Sequence, residues 1–351
     1  MCALVRLSLY LYLLATLGLT SYAPPEPGTG HFWWGRKMKE FLYSPYLDIN
    51  ISPQAESPKS ATMASNSAAP LVELPTTLVP AGIQSLTLAF ATGECGSERW
   101  SGLEAQRVID STINKVQRAA IGYVISTGGA DGIFTCGSEQ GMEKFIARYS
   151  SKHLLGFDFD IEAGQSESVI ASLVERVRAA MQRHPHLRFS FTLATQSSTE
   201  DGQASLNPHG DLVMKTIAKA GLKNYFINLM VMNYGEAKSD NCVVENDRCD
   251  MAASAIQVAQ NFSREYGVAM RRIELTPMIG VNDVVDNVFT LDDARALTRF
   301  VITNGLGGLH YWSLGRDRPC APNTHVVSPT CSSLAGPGGL EFNKTFAMDF
   351  H

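Results

Sequence analysis

The sequence predicts an α/β fold built as a single (β/α)8 TIM barrel. Three observations lead to this prediction: a globular composition over 351 residues, eight short apolar segments, and helical patterns between most of them. The apolar fraction of 45% and the charged fraction of 18% exclude a largely disordered chain or a coiled coil. The formal charge of −5 argues against a protein that binds nucleic-acid phosphates.

The predicted strands are the eight apolar segments, which span residues 42–49, 85–92, 120–126, 155–162, 188–194, 224–233, 272–279 and 307–312. Strands that alternate with helices form a parallel sheet, and eight units in about 280 residues is the number found in a closed barrel. The alternative is an open doubly wound sheet. The glycine-rich phosphate motif that often follows the first strand of that fold does not occur in the sequence.

Three predicted helices show apolar residues at steps of three and four, over residues 166–182, 251–266 and 291–304. Thr290 precedes the last of them and Asp293 lies in its first turn, which is typical of a helix N-cap followed by an acid.

Residues 1–23 have the pattern of a secretory signal peptide, with an apolar run at 7–19 and small residues before the expected cleavage at Ala23. The alternative is a membrane anchor, but the run is short for a span of about 20 residues. We therefore expect a secreted protein without stable membrane association. Residues 24–40 are a predicted lead-in, 41–320 the barrel with a mobile loop at 52–70, and 321–351 a C-terminal tail.

The seven cysteines become six if the signal peptide is cleaved, because Cys2 is lost. An even number in an oxidising compartment indicates disulfides, although six cysteines allow about 15 connectivities. Proximity in the sequence suggests the pairs Cys242–Cys249 and Cys320–Cys331, which leaves Cys95–Cys136. Asn261 and Asn343 begin sequons for N-glycosylation.

The most informative segment is LLGFDFDIE at residues 154–162. Residues two apart in a strand point to the same side, so Asp158, Asp160 and Glu162 share one face and the apolar residues the other. We call these three acids the carboxylate ladder. Three carboxylates in a confined interior repel one another, so at least one pKa is raised and a proton is shared along the ladder. A carboxylic acid that is protonated at neutral pH can act as a general acid.

Two alternatives exist for the ladder. One is the solvent-facing side of an edge strand, where the acids are only surface charge. The other is a site for Mg²⁺ or Ca²⁺, because clustered carboxylates bind these ions.

Several motifs together resemble glycoside hydrolase family 18, the chitinases and their relatives, over residues 41 to 320. Residues 155–162 are similar to the family's DxxDxDxE, 126–129 to its SxGG, and 232–234 to its MxY. Trp312 is similar to the tryptophan on the floor of the family's substrate cleft. Other segments look like a bacterial-type secreted subgroup.

The resemblance implies a mechanism in which the substrate's own N-acetyl group is the nucleophile, with retention of configuration and without a metal or organic cofactor. By matching positions, Glu162 would protonate the glycosidic oxygen and Asp160 would hold the acetamido nitrogen. Asp158 would share a proton with Asp160, and Tyr234 would hydrogen-bond the acetamido carbonyl.

The implied partner is chitin or a chitooligosaccharide, bound by a chain whose default state is a monomer. The candidate substrate-binding residues lie at or just past strand ends, and they are Trp312, Met232, Asn233, Gln196, Tyr46, Asp48 and Asn282. Trp312 offers a flat apolar face for a sugar ring, and Met232 would pack beside that sugar. For Tyr46 and Asp48 a surface role is nearly as plausible from the sequence.

The sequence departs from the family pattern at three positions. Leu155 stands where DxxDxDxE begins with aspartate, which would shorten the ladder, and Gly235 stands where an acid would follow Tyr234. Asn233 stands where relatives in the subgroup carry aspartate. The sequence thus favours a hydrolase of β-1,4-linked N-acetylglucosamine. The alternatives are a weakly active or inactive binder of chitin oligomers and an endo-N-acetylglucosaminidase that acts on N-glycans. Glu162 favours the hydrolase, since a pure binder is expected to lack this acid.

Overall fold

A computed structural model describes residues 41–49, 82–130, 132–162, 164–197, 205–320, 326–334 and 338–348. The predicted signal peptide, the lead-in and the predicted mobile loop at 52–70 lie outside these residues. Among the described residues, no helix is both long and apolar enough to cross a membrane.

Nine parallel segments form one sheet, and the first two belong to one short stretch of chain, which gives eight strands. They are β1 (Leu42–Tyr43 and Tyr46–Asp48), β2 (Ser85–Ala91), β3 (Gly122–Gly128), β4 (Leu154–Asp160), β5 (Arg188–Ala194), β6 (Phe226–Met230), β7 (Ile273–Thr276) and β8 (Gly308–Leu309). Each strand pairs with its neighbours in chain order. All eight predicted strands are confirmed, although several end earlier than the apolar pattern does.

The first strand closes the sheet. Its second segment pairs with β2, where Tyr46 lies opposite Thr87, and its first segment pairs with β8, where Leu42 lies opposite Gly308. Because both edges of the sheet meet on this one stretch of chain, the sheet has no open edge. The predicted (β/α)8 barrel is therefore confirmed.

Seven helices are described around the barrel: α1 (Ala105–Val108, Ile109–Ile113 and Asn114–Arg118, the middle segment a π-helix), α2 (Glu139–Tyr149), α3 (Glu167–Arg183), α4 (Pro208–Lys219), α5 (Met251–Tyr266), α6 (Leu291–Asn304) and α7 (Glu341–Ala347). The three predicted helices correspond to α3, α5 and α6. Thr290 caps α6, and its side chain and that of Asp293 form the reciprocal bonds of a capping box.

The remaining elements are short. Two-residue strands pair as Gly93–Glu94 with Phe134–Thr135, Arg99–Trp100 with Leu103–Glu104, Val244–Glu245 with Arg248–Cys249, and Gly280–Val281 with Val288–Phe289. Single 3-10 turns occur at Met270–Arg272 and Leu314–Arg316.

The two faces of β4 have opposite chemistry, as the alternation predicts. Phe157 and Phe159 are buried between the sheet and the helices, and the ring centroid of Phe157 lies 5.0 Å from that of Phe145 on α2. Each buried phenylalanine contributes about 2 kcal/mol by removal of apolar area from water. The apolar face therefore anchors the strand and turns Asp158 and Asp160 into the barrel.

A buried ion pair lies inside the barrel near the amino-terminal end of β5. Arg188 donates through Nε to Oε1 of Glu274 at 2.7 Å and through Nη2 to the carbonyl of Gly307 at 2.8 Å. His310 places Nε2 3.4 Å from Oε2 of Glu274, at an alignment too poor for a hydrogen bond. Burial raises the pKa of Glu274, but Arg188 and His310 outweigh burial and bring this pKa to about 2.

The three cysteine pairs suggested by sequence proximity are confirmed as disulfides: Cys95–Cys136, Cys242–Cys249 and Cys320–Cys331, with Cα atoms 5.0, 5.6 and 5.1 Å apart. The first two lie in segments that follow the carboxyl ends of β2, β3 and β6, where a barrel carries its site.

The two sequons differ in their surroundings. Asn261 is partly exposed on α5, whereas Asn343 is fully buried and accepts a hydrogen bond at 3.0 Å from the hydroxyl of Tyr43. A glycan on Asn343 is incompatible with this burial, so the prediction of glycosylation there is corrected.

We expect Glu274→Gln to lower the free energy of unfolding by about 3 kcal/mol at pH 7, because it leaves the Arg188 charge buried without a counter-ion. The folded-state pKa of Glu274 lies below its ordinary value of 4.5. Its contribution is therefore fully present above pH 4.5 and is lost as the pH falls toward about 2. Urea titrations at several pH values measure this difference.

Glu104→Gln is the matched control, since Glu104 pairs with Arg99 at 2.5 Å while both side chains are more than half exposed. Such pairs contribute at most about 1 kcal/mol. A loss in Glu274→Gln as small as that of the control would contradict the account of the buried pair.

Candidate active site

A cavity of about 360 Å³ opens among side chains at the carboxyl ends of the strands. Among the residues that line it are seven of the predicted site residues: Tyr46, Asp48, Asp160, Glu162, Met232, Asn233 and Trp312. The barrel thus brings together residues that are up to 266 positions apart in the chain, as its topology predicts.

Asp158 lies beneath the cavity and is hydrogen-bonded on every side. Ser126, Ser190, Thr192 and Tyr46 donate to its two oxygens at 2.6, 2.7, 2.8 and 3.0 Å. Burial raises the pKa of Asp158 above its ordinary value, and the hydroxyl donors oppose this rise without cancelling it. Four donors fill the lone-pair positions of a carboxylate, so the charged form is stabilised and no position remains for a metal ion.

Asp160 lies above Asp158, nearer the cavity, and has far fewer hydrogen-bond partners among the described residues. Its side chain is 4% exposed, and its Oδ1 atom has no hydrogen-bond partner among the residues that the structure describes. Burial, and then the charges of Glu162 and Asp158, raise the pKa of Asp160 well above its ordinary value. Of the two buried acids, Asp160 is therefore the one whose surroundings favour the protonated form more strongly.

Glu162 lies two residues past Asp160, just beyond the end of β4, and lines the cavity with a partly exposed side chain. The ladder thus runs from buried Asp158 beneath the cavity, through buried Asp160, to the partly exposed Glu162, and the last two acids line the cavity. With Asp158 and Asp160 at 2% and 4% exposure, the alternative of a solvent-facing edge strand is excluded.

Two glycines explain why the SxGG segment passes so close to the ladder. A Cβ atom on Gly128 would lie 2.0 Å from the carbonyl oxygen of Asp160, and one on Gly129 would lie 2.8 Å from Cδ2 of Phe90. Both glycines also have positive φ angles, 87° and 80°. The absence of a side chain lets β3 lie against the end of β4 and leaves room for the cavity.

The cavity has an aromatic floor. The indole of Trp312 stacks on the ring of Phe90 with centroids 5.6 Å apart and planes 18° apart, and the ring of Tyr46 lies 5.9 Å away. The flat faces of such rings bind the apolar face of a pyranose. Phe90 was not predicted, because it is one apolar residue among many in β2 and its neighbours are core.

Methionines form an apolar part of the wall. Met232 was predicted from the sequence, and the structure adds Met230 and Met278. Nothing in the pattern separates these two from ordinary core methionines, because their place depends on the strand register. Thr192 and Thr276, also unpredicted, line the cavity between the methionines and the ladder.

Asn233 contacts the loop after β7. Its Nδ2 atom donates to Oδ2 of Asp283 at 3.0 Å, its backbone N–H donates to Oδ1 of Asn282 at 3.2 Å, and its Oδ1 accepts from the backbone of Val284 at 3.1 Å. Its φ of 56° is left-handed, which asparagine tolerates. Asp283 lines the cavity beside it.

Asn282 does not line the cavity. It is fully buried, and its amide donates to the carbonyls of Met278 and Gly280 at 2.8 and 3.1 Å. With its oxygen bonded to the backbone of Asn233, every group of its side chain is used within the protein. It supports the loop that presents Asn233 and Asp283.

Tyr234 and Gln196 also lie outside the residues that line the cavity. The Tyr234 ring is 7% exposed, and its hydroxyl has no hydrogen-bond partner among the described residues. Burial raises its pKa well above 10, so it stays a protonated donor. Gln196 is exposed and is held by its backbone, which donates to Ser205 at 3.0 Å. A contact of either residue with substrate stays a prediction.

Leu155 packs against Gly122 of β3, below the level of the three acids. It lies at the start of β4, where the pairing with β3 skips one residue, and its Cδ1 atom would be 2.8 Å from a Cβ on Gly122. Asp158 is three residues further along, about 10 Å at the rise of a strand. Whether this leucine shortens the ladder, as the sequence suggests, stays a prediction.

Comparison with known proteins gives no matching family model. The chain is 26% identical over 298 residues to Endochitinase 11 of Metarhizium anisopliae and 25% identical over 300 residues to a probable bifunctional chitinase/lysozyme of Escherichia coli K12. Each match covers 80% of this chain, but 53% and 31% of the relatives. The chain thus spans about half the length, or less, of these curated relatives.

The structure is similar to the catalytic domain of the hyperthermophilic chitinase from Pyrococcus furiosus, with a TM-score of 0.66 and 26% identity over 88% of this chain and 94% of that chain. Catalytic-site mutants of active domain 2 of that organism's chitinase, one set complexed with chito-oligosaccharides, match at 25% identity with the same TM-score. The resemblance to the chitinases of family 18 is therefore confirmed in sequence and fold, whereas the bacterial-type subgroup stays a prediction.

Proposed function

We propose that this protein is a secreted glycoside hydrolase that cleaves β-1,4 linkages between N-acetylglucosamine units of chitin or chitooligosaccharides. The observation that carries the proposal is the carboxylate ladder, in which Asp160, with its raised pKa, lies between buried Asp158 and partly exposed Glu162. The similarity to chitinases supports the substrate class.

Catalysis is substrate-assisted in this proposal. The sugar that contributes the anomeric carbon of the scissile bond stacks on Trp312. The carbonyl oxygen of its own acetamido group attacks that anomeric carbon. Glu162 enters this step as the neutral acid, a second proton on the ladder beside that of Asp160. It gives its proton to the glycosidic oxygen as that bond breaks, so the leaving sugar departs with a hydroxyl group. Water then attacks the anomeric carbon, Glu162 takes up a proton from it, and the ring formed by the acetamido group reopens.

Asp160 acts on the acetamido group during these steps. Its carboxyl lies next to Glu162 on the same face of β4 and orients the acetamido N–H while positive charge develops on the amide. Asp158 stays a carboxylate below it, and its charge favours that cationic intermediate through space. The unpaired hydroxyl of Tyr234 is the candidate donor to the acetamido carbonyl.

Secretion belongs to the same proposal. Three disulfides among the described residues support an oxidising compartment, since such bonds are rare in the cytosol. The signal-peptide pattern of residues 1–23 supports the same destination.

We expect Glu162→Gln to lower kcat on a fluorogenic chitotriose substrate by about 10²- to 10⁴-fold, the usual contribution of a general acid. The amide keeps the size of the side chain, so binding of chitotriose by calorimetry should persist. Glu167→Gln is the matched control, because Glu167 is exposed in the first turn of α3.

Equal hydrolysis by the wild type and Glu162→Gln would overturn the assigned role. Tight binding without hydrolysis by the wild type would instead support the alternative of a chitin-oligomer binder. Release of glycan from a high-mannose glycoprotein, without cleavage of chitotriose, would support the endo-N-acetylglucosaminidase.

The stereochemistry gives a second prediction. Substrate-assisted catalysis inverts the anomeric carbon twice, so the first product of chitooligosaccharide cleavage should be the β-anomer. Proton NMR within the first minutes, before mutarotation, measures the anomer. An α-anomer at the earliest time would exclude this mechanism and require a direct attack by water.

A further inference from the structure

Asn228 lies on β6 inside the barrel, beneath the cavity, and is 1% exposed. Its Oδ1 atom accepts from Oγ1 of Thr276 at 2.7 Å. Its Nδ2 atom donates to the hydroxyl of Tyr46 at 3.0 Å and to Oγ1 of Thr192 at 2.9 Å. The mechanism above does not use this residue, yet its amide makes a bond in every direction that the interior offers.

The two hydroxyls that accept from Asn228 are also two of the four that donate to Asp158. Each hydroxyl has one proton. Because each receives a proton from the amide, its own proton must point elsewhere. The two hydroxyl oxygens lie 3.2 Å from each other, but the Asp158 oxygens are nearer, at 3.0 and 2.8 Å, and a carboxylate is the stronger acceptor. The amide therefore determines the direction of both hydroxyl protons.

The opposite orientation of the amide would leave buried acceptors without donors. It would turn the amide oxygen toward Tyr46 and Thr192, where it would compete with Asp158 for the same two protons. Buried acceptors without a donor cost about 1 to 3 kcal/mol each. The observed orientation satisfies all partners, and the hydroxyl of Thr276 holds it by its bond to Oδ1.

We propose that Asn228 is a positioning residue, whose amide directs the hydroxyl protons of Tyr46 and Thr192 to Asp158 and so keeps the proton of the Asp158–Asp160 pair on Asp160. This inference deepens the proposed hydrolase function and rests on it for its kinetic consequence. The location of the proton can be measured without any substrate.

Other charged groups also lie near Asp158 and Asp160, and a test must separate their effects on the titration of this pair from the effect of Asn228. Glu162 lies on the same strand, Tyr46 on β1 and Glu274 on β7, and the charges of Glu162 and Glu274 act on Asp160 and Asp158 respectively. Asp48 and Asp283 line the cavity above. None of these groups touches the amide of Asn228 except Tyr46.

The test is a titration of the aspartate carboxyl carbons by ¹³C NMR in the full chain, beside the pH profile of kcat/KM. Asn228→Asp keeps the shape but replaces the donating NH₂ by an acceptor that attracts both hydroxyl protons. We expect the pKa of Asp158 to rise by about one pH unit or more, since Asp158 loses two donors. The acid limb of kcat/KM should move to higher pH by the same amount.

A double-mutant cycle separates this role from the added charge. If Asn228 acts through the hydroxyls, the shift caused by Asn228→Asp is smaller in a Thr192→Val background, where one hydroxyl is absent. Equal shifts in both backgrounds would mean a purely Coulombic effect and would overturn the proposal, as would no shift at all.

Thr276→Val serves if Asn228→Asp does not fold, because it removes only the hydroxyl that holds the amide oxygen. A smaller rise of the same sign is expected, and no rise would overturn the proposal. Thr298→Val is the control: Thr298 is fully buried on α6 and bonds the carbonyl of Ala294, so its titration curves should match the wild type. If the carboxyl pKa values of the variants shift as expected but the wild type has no hydrolase activity, the proposed function is rejected and this inference stands.

Discussion

The structure of this site depends on one constraint: a carboxylate, Asp158, is buried in the centre of a protein and must be stabilised without a counter-ion in contact among the described residues. Four hydroxyls supply that stabilisation, from the two neighbouring strands β3 and β5 and from β1. Each charge-assisted bond is about twice as strong as a neutral one. The polar interior, which would be costly in most barrels, follows from this one charge.

The same constraint determines the chemistry above it. Because four donors stabilise the charged form of Asp158, the proton of the pair is favoured on Asp160, and both Asp160 and Glu162 line the cavity. The apolar side of β4 is as necessary as the polar side, because Phe157 and Phe159 fix which way the acids point. Fold stability and the arrangement of the ladder thus depend on the same strand.

Much of the fold and of the candidate site could be predicted from the sequence, because period-two alternation and the order of strands and helices are local signals. They predicted the barrel and the ladder, whereas Trp312 was identified through the resemblance to family 18. Phe90, Met230 and Met278 could not be predicted, since an apolar side chain at a strand end looks like core until the register is known. Asn228 was missed for a similar reason: one amide in an apolar strand has no pattern. A spacing motif also does not show where the pairing skips a residue, as it does at Leu155.

The central claim is that one proton is located on Asp160 while Asp158 is ionised. Neutron diffraction from a deuterium-exchanged crystal at pH 7 tests it most directly. The account predicts a deuteron on Asp160, none on Asp158, and the deuterons of Ser126, Ser190, Thr192 and Tyr46 directed at the Asp158 oxygens. A deuteron on Asp158, with either Tyr46 or Thr192 donating to Asn228 instead, would contradict it.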